Sequence, residues 1–247
     1  MNKEVRLAAL LCLMPWLAHA GETTLIEPSR YDAAEAQATG HPNELARWKG
    51  MRAYDEGKPA EAKVQFERAA WFGDTQSQYF LTLMHWQGDG VPRDPVMAYV
   101  WADLAAEGGE VEALVALRER IWSTLSPEQQ RQAIETGRAF HPTFGKQATS
   151  RRLHSELRRF ARQQTGSRLG QGVSKLEVGV GDTGAYGTRG RPSHESLQAT
   201  GDTFYAAERT RYDDYRQAEN ARLSDLIRGA GQVKTGPVVP VRESTAD

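Results

Sequence analysis

Apolar side chains recur at helical spacing between residues 43 and 140, and glycine or proline separates one run from the next. In the second run the apolar positions are i, i+4, i+7 and i+8, which form one face of a helix. These positions are Ala62, Phe66, Ala69 and Ala70. A glycine followed by a proline favours a helix end and then a new first turn. The pattern predicts six consecutive helices, which together form a domain over 43–145.

The last of these helices has the clearest start signal. Ser126 is a suitable N-cap, Pro127 suits the first helical position, and Gln129 completes a capping box. We expect the helix to begin there and to end near Phe140. It closes the predicted array, so we also expect it to be important to stability.

Two of the runs are copies of one another. The residues that recur at the same spacing are Ala62, Ala69, Ala70 and Gly73 in the first copy and Ala98, Ala105, Ala106 and Gly109 in the second. Repeats of this length build stacked helix hairpins that present a surface to a partner. Alanines on the second helix of each pair would let neighbouring backbones approach closely. The alternative is an unrelated six-helix bundle with coincidental alanines.

The second copy resembles the Sel-one-like repeat family, a longer-looped relative of the tetratricopeptide repeat. It contains Leu81-x-x-Met84-x-x-x-Gly88-x-Gly90-Val-Pro92-x-Asp94, followed by Ala98-x-x-Trp101-x-x-x-Ala105-Ala106-x-x-Gly109. The shorter first copy resembles the tetratricopeptide pattern itself. The resemblance covers about two-fifths of the chain and implies a short right-handed α-α superhelix. Members of the family commonly act as adaptors in assemblies, so a protein or peptide partner is the implied ligand.

The resemblance also implies a concave face lined by the first helix of each pair. By their spacing on these helices, the candidate contact residues are Arg47, Met51, Gln78, Thr82 and His85. His85 stands where the repeat often has tyrosine, and Thr82 where glycine or alanine is common. A structural role is the alternative for most of the five, and for His85 in particular.

Residues 1–20 have the three-part layout of a secretory signal peptide. Lys3 and Arg6 precede an apolar run from Leu7 to Leu17, and Ala18-His19-Ala20 follows it. We predict cleavage after Ala20 and a periplasmic location, with secretion as the second choice; an N-terminal anchor or a buried helix is the alternative. Cys12 is the only cysteine, so the mature chain would have no disulfide. Residues 21–42 are interpreted as a linker.

After Pro142 the composition changes, and much of the chain's glycine follows. We predict a basic helix over 146–165, a glycine-rich disordered linker over 166–201, a charged helix over 202–228 and a disordered tail over 229–247. The mean hydropathy of −0.61 agrees with a chain that is not uniformly globular. The predicted fold class is therefore all-α: a short superhelix of stacked hairpins, then a largely disordered C-terminal region with isolated helices. The charged helix could dock on the array, pair with a partner helix or stand alone.

The basic helix carries a narrow apolar stripe made of Leu153, Leu157 and Phe160. Its flanking arginines are Arg151, Arg152, Arg158, Arg159 and Arg162. Two interpretations remain open: the stripe packs against the preceding helix, or the helix lies on an anionic membrane surface. The formal net charge is −1, and with the export signal this argues against a nucleic-acid partner.

The sequence contains no local motif for catalysis. No two histidines are three or four residues apart, so no helical metal pair exists. Gly179-x-Gly181-x-x-Gly184 lacks the flanking strand and helix that a dinucleotide site needs. We therefore predict no catalytic residues, no metal and no cofactor, and a non-enzymatic adaptor of the cell envelope. The alternative is an enzyme acting on cell-wall material, with a polar pocket joining His85, Glu56 or Asp89.

Overall fold

The computed structural model describes residues 28–163, 176–179, 196–199 and 201–230. These residues form eleven helices and one short antiparallel strand pair. The helices are α1 (Pro28–Gln37), α2 (Pro42–Asp55), α3 (Pro59–Ala70), α4 (Thr75–Gln87), α5 (Pro95–Ala106), α6 (Glu112–Thr124), α7 (Pro127–Phe144), α8 (Lys146–Ala161), α9 (Gly201–Phe204), α10 (Ala207–Thr210) and α11 (Tyr212–Ala230). The strands are β1 (Leu176–Gly179) and β2 (Ser196–Ala199), with Leu176 opposite Ala199. The all-α prediction is confirmed.

Helices α2 to α5 stack as two hairpins in chain order, and both α6 and α7 pack on α5. Their starts follow the sequence signals. Asp74 accepts a hydrogen bond from the backbone of Ser77 at 2.8 Å, and Asp94 caps α5 in the same way. Ser126 and Gln129 form the expected capping box at the start of α7.

The core of the stack is centred on Trp101. Its indole is fully buried and meets the rings of Phe140 and Phe144 edge-on, with centroids 5.7 and 5.0 Å away. The repeated alanines Ala62 and Ala98 are also fully buried. Small side chains at these positions therefore allow the close approach of neighbouring helices that the sequence pattern predicted.

The predicted linker over 21–42 contains a helix, which corrects that prediction. α1 packs on α2 through Tyr31, whose hydroxyl donates to Asp55 and whose ring lies 6.5 Å from that of Trp48. The sequence signal was weak because the helix has a single large apolar side chain in its described part. Its contact is with residues further along the chain, which local spacing does not reveal.

The sixth predicted helix extends beyond Phe140, because α7 continues through Pro142 to Phe144. Proline removes a backbone donor and normally ends a helix. Here Phe140 and Phe144 both pack on the buried Trp101, and this packing stabilises the additional turn.

The C-terminal helices are packed against the array and are not isolated, which corrects that part of the prediction. The basic helix of 146–165 is α8, ending at Ala161, and the charged helix of 202–228 is divided into α9, α10 and α11. The strand pair lies inside the predicted linker 166–201. Most of that linker, the predicted signal peptide of 1–20 and the predicted tail beyond residue 230 lie outside the described residues.

One close contact fixes α8 on the turn between α1 and α2. Gly40 has φ of +84°, and a Cβ atom placed there would lie 2.0 Å from the ring of Phe160. Only glycine combines this backbone conformation with the absence of a side chain. The turn can therefore hold Phe160 directly against the backbone.

Candidate helix-binding site

Helix α11 lies across the N-terminal parts of α2, α4 and α6, the first helices of the three hairpins. We call this surface the inner face; it consists of Asn43, Arg47, Asp74, Tyr79, Leu83, Val111 and Leu114. From α11 it receives Tyr215, Glu219 and Leu223, which are spaced by four residues and so share one helical stripe. The surface expected to bind a partner is occupied by the chain's own helix.

An ion pair lies at the centre of this contact. Arg47 is only 6% exposed, and its guanidinium lies 2.8 Å from the Asp74 carboxylate and 2.5 Å from that of Glu219. Burial alone would raise the pKa of Glu219, but Arg47 and Arg222 outweigh it and hold this pKa below its ordinary value. The Glu219 carboxylate therefore favours its charged form when α11 is docked.

Tyr215 fills a polar and aromatic pocket at one end of the contact. Its hydroxyl accepts a 2.6 Å hydrogen bond from the Asn43 amide, which also donates to Asp74 at 3.3 Å. Its ring stacks on His41 with centroids 5.4 Å apart and packs with Leu153 and Leu157 of α8. Tyr215 is 1% exposed. The Tyr215 side chain of α11 therefore contacts both α2 and α8.

His41 is buried between this pocket and α10. Its Nε2 lies 2.7 Å from the backbone oxygen of Arg209, and its Nδ1 lies 3.2 Å from the Arg209 guanidinium. The neutral tautomer with its proton on Nε2 satisfies both contacts. Burial is the largest cause that lowers the pKa of His41. The docked state therefore holds an uncharged imidazole.

Leu223 occupies an apolar pocket at the other end of the contact. It is buried among Tyr79, Leu83, Val111 and Leu114, and Leu226 and Ile227 pack on the same cluster from α11. This pocket joins α4 to α6. Along α11, the inner face therefore offers first an amide donor for the Tyr215 hydroxyl, then the Arg47 cation for Glu219, and then an apolar pocket for Leu223.

The docked helix leaves some buried acceptors without a donor. Within the described residues, Asn43 Oδ1 and Glu44 Oε1 have no hydrogen-bond partner. The charge of Glu44 favours higher pKa values for His41, Tyr215 and Arg222. For His41, burial outweighs this contribution and the pKa is lowered. Unmatched buried acceptors are costly, so α11 is an imperfect occupant of the inner face.

The structure buries all five contact residues that the sequence suggested. Among the described residues, Arg47 alone of the five forms an ion pair with α11, while Gln78 lines a small pocket together with Tyr212 and Arg216 of that helix. Met51 packs in the core cluster around Trp101. Gln78 lies 3.5 Å from the backbone oxygen of Phe144, the Thr82 hydroxyl donates to the Gln78 carbonyl, and His85 lies beside Lys63. On α4, Tyr79 and Leu83 face α11 instead. Apolar side chains surround α4 almost completely, so the pattern could not fix which of its sides points inward.

The apolar stripe of α8 is directed inward. Leu153, Leu157 and Phe160 are buried, which supports the packing interpretation. Arg152 donates to the carbonyls of Trp71 and Thr143 and lies over the Trp71 ring. The arginines that remain exposed are Arg151, Arg158, Arg159 and Arg162. A membrane contact by the apolar stripe would require α8 to leave the array.

The three residues suggested for an enzymatic pocket have separate surroundings. Asp89 accepts from the Tyr54 hydroxyl, Glu56 pairs with Lys58 at 2.8 Å, and His85 lies near Lys63. A surface cleft of about 390 Å³ lies elsewhere, beside α11, where Glu110 pairs with Lys146 at 2.6 Å. In the part of the chain that the structure describes, no three His, Cys, Asp or Glu side chains are grouped so that they could hold a metal ion.

Fold and site together define an all-α array of stacked helix hairpins whose inner face binds a helix. No protein-family model, curated protein or solved structure matches this chain significantly. Across the described ranges, no helix has both the length and the apolarity needed to cross a bilayer.

Acidification is expected to release α11 from the inner face. The groups around His41 are Glu44, the guanidinium and carbonyl of Arg209, the Thr39 carbonyl and the Tyr215 ring. Because the docked pKa of His41 lies below its ordinary value of 6.5, docking is fully favoured above pH 6.5. It weakens as the pH falls from 6.5 towards the docked pKa. Glu219, with a lowered pKa, weakens docking further as the pH falls below 4.5.

Hydrogen exchange of the α11 amides as a function of pH measures this release, after correction for the intrinsic exchange rate. His41→Gln keeps an uncharged polar side chain and should remove the step that begins below pH 6.5, leaving the one below 4.5. His141→Gln on α7, whose ring lies 3.4 Å from Asp103, should leave both steps in place. Protection of α11 that stays constant from pH 7 to pH 4 would contradict the prediction.

Proposed function

We propose that this chain is an exported, non-enzymatic helical-repeat protein that binds a protein or peptide partner as an adaptor in the bacterial cell envelope. The observation that carries the proposal is the inner face, which already buries a helix through the Arg47–Glu219 ion pair. Export rests on the signal-like layout of residues 1–20, and the repeat assignment rests on the resemblance of its motifs.

The character of the contact supports recognition. Helices that belong permanently to a core are held mainly by apolar packing, whereas α11 is held at its centre by charges and hydrogen bonds. Polar contacts of this kind fix register and partner choice. Arg47 is shared by the carboxylates of Asp74, on the array, and Glu219, on α11.

The proposal is tested by capture from envelope extract with the full mature chain from Gly21 to Asp247. Tyr215→Ala, Arg216→Ala and Glu219→Ala together remove the main polar contacts of α11 and expose the inner face. We expect this variant to retain a defined partner more strongly than the wild type does. Adding Arg47→Glu should abolish the gain, because it reverses the charge of the inner face itself.

Asp225→Arg is the matched control, since Asp225 lies on the exposed side of the same helix and is 73% exposed. It should retain the partner as the wild type does. A partner held equally by every variant would move recognition away from the inner face, and no retained protein from any variant would contradict the adaptor function.

A further inference from the structure

We infer that the partner presents an amphipathic helix carrying tyrosine, an acidic residue and leucine at successive four-residue spacings, and that this helix replaces α11 on the inner face. The inference rests on the proposed function and names the class of partner. Helix α11 is then the resident occupant of a receptor whose three subsites can be defined by their chemistry.

The first subsite selects tyrosine. The Asn43 amide donates to the Tyr215 hydroxyl, while His41 stacks on the ring and Leu153 packs beside it. Phenylalanine would fill the same volume but would leave the Asn43 donor with only the longer 3.3 Å contact to Asp74. A buried donor that loses its better acceptor is costly, so the hydroxyl is preferred.

The second subsite selects a carboxylate. Arg47 is held in place by Asp74 on one side and presents the same terminal nitrogen to Glu219 at 2.5 Å. Charge-assisted hydrogen bonds of this kind are stronger than neutral ones. Four residues separate Tyr215 from Glu219, so both side chains lie on one side of the incoming helix.

The third subsite selects a branched apolar side chain. Leu223 is 2% exposed and lies among Tyr79, Leu83 and Leu114, with Leu226 and Ile227 widening the contact by one further turn. A leucine side chain that leaves this pocket exposes a large apolar area to solvent. The three subsites together span two turns of helix, which fixes both register and direction.

The inner face can exchange its occupant without leaving a lone buried charge. When Glu219 departs, Arg47 still has Asp74 at 2.8 Å, and the Asn43 amide still has Asp74 as an acceptor. The penalty that makes most buried ion pairs irreplaceable is therefore absent. Residues 162–200 connect α8 to α9, so the resident helix stays tethered to the array when it is released, and the tether raises its effective concentration.

A partner can outbind the resident helix because α11 leaves acceptors unmatched. Glu44 Oε1 and Asn43 Oδ1 receive no donor among the described residues. A helix that keeps the three matching residues and adds a donor towards Glu44 would gain a contact that α11 does not make. This gain offsets the concentration advantage of the resident helix.

The experiment uses the full mature chain with a protease site placed between residues 181 and 190, cut after folding. The cut frees β2 and helices α9 to α11 as one dilutable fragment while all residues remain present. The probe is a fluorescent synthetic peptide with the sequence 201–230, which keeps the contacts of Phe204, Tyr205 and Arg209 with Phe160 and His41. Its binding is followed by anisotropy as it exchanges for the cleaved fragment. Circular dichroism of the cut protein reports whether the array stays folded.

We expect the wild-type peptide to exchange onto the array. Peptides with Glu219→Gln or Leu223→Ala should bind about tenfold more weakly or worse, and Tyr215→Phe by about three- to tenfold. Asp225→Asn is the control and should bind within twofold of the wild-type peptide. A peptide with Arg222→Ala loses the 2.7 Å ion pair with Glu219 and should bind more weakly than the control.

Three results would overturn the inference. The array could unfold once the fragment leaves, which would make α11 part of the core. The fragment could leave and no peptide bind to a folded array. All peptides could bind equally, which would show contact without selection.

The outcomes also separate this inference from the proposed function. Selective peptide exchange with no partner captured from the envelope would support the helix-binding inner face and contradict the adaptor function. An Arg47-dependent partner that does not compete with the wild-type peptide would retain the adaptor function and contradict this class of ligand. A dimer formed by exchange of α11 between two chains would be seen as a concentration-dependent mass, and as the dominant outcome it would replace the partner helix by a second copy.

Discussion

Arg47→Ala is expected to release α11 and to lower the free energy of unfolding by about 3–5 kcal/mol, the cost of breaking a buried ion pair. The substitution leaves the carboxylates of Asp74 and Glu219 in a buried position without their shared cation. Repulsion between them separates α11 from α4. Asp74 also caps α4, so it is held in place and Glu219 is the group that moves.

Urea unfolding and hydrogen exchange together measure this effect. Amides of α11 should lose protection first, while those of α3 and α5 keep it until global unfolding. Lys49→Ala on the exposed side of the same helix is the control and should change the unfolding free energy by less than about 0.5 kcal/mol. Arg47→Met fills a similar volume without charge and should resemble Arg47→Ala. Equal stability of Arg47→Ala and the wild type would show that the ion pair does not hold the helix.

The array could be predicted from the sequence because its signals are local. Helix starts at Asp94 and Ser126 follow from capping chemistry that involves neighbours two or three residues away. The repeated alanines report close packing because the same spacing occurs twice. The choice of Arg47 as an inward-facing residue followed from its place on the first helix of the first hairpin.

The occupied inner face could not be predicted in the same way. Glu219 lies on a helix with alternating charges, and local spacing favours a solvated position for it. It becomes a buried residue only because Arg47, far away in sequence, supplies the compensating charge. On α4 the side facing α11 was missed because Tyr79, Leu81, Leu83 and Met84 surround the helix with apolar groups. Tertiary contacts decide such cases, and a single sequence does not contain them.

The array and helix α11 are stabilised by different kinds of contact. Helices α2 to α7 are stabilised by a continuous apolar core. Helix α11 is stabilised by Tyr215, the Arg47–Glu219 ion pair, the hydrogen bond from Arg216 to the Gly73 carbonyl and a small apolar cluster around Leu223. Local stability follows the amount of buried apolar contact. Release of α11 and unfolding of the array are therefore expected to be separate events, which Arg47→Ala and Trp101→Ala should separate.

Trp101→Ala is expected to destabilise the array itself, by about 3–5 kcal/mol. The indole is fully buried and packs on Phe140 and Phe144, so its loss leaves a cavity between α5 and α7. The array has few repeats, and each hairpin depends on its neighbours. The loss therefore extends to α4 and α7 and is not confined to one helix.

Thermal unfolding and hydrogen exchange distinguish this result from that of Arg47→Ala. Protection should fall throughout α4, α5 and α7, and α11 should lose protection only together with them. Trp71→Ala is the matched control, because Trp71 is 43% exposed and carries only the contact with Arg152 and an edge contact with Phe144. It should cost about 1 kcal/mol or less. If Trp101→Ala released α11 while leaving α5 and α7 protected, the core around Trp101 would not be the element that holds the stacked hairpins together.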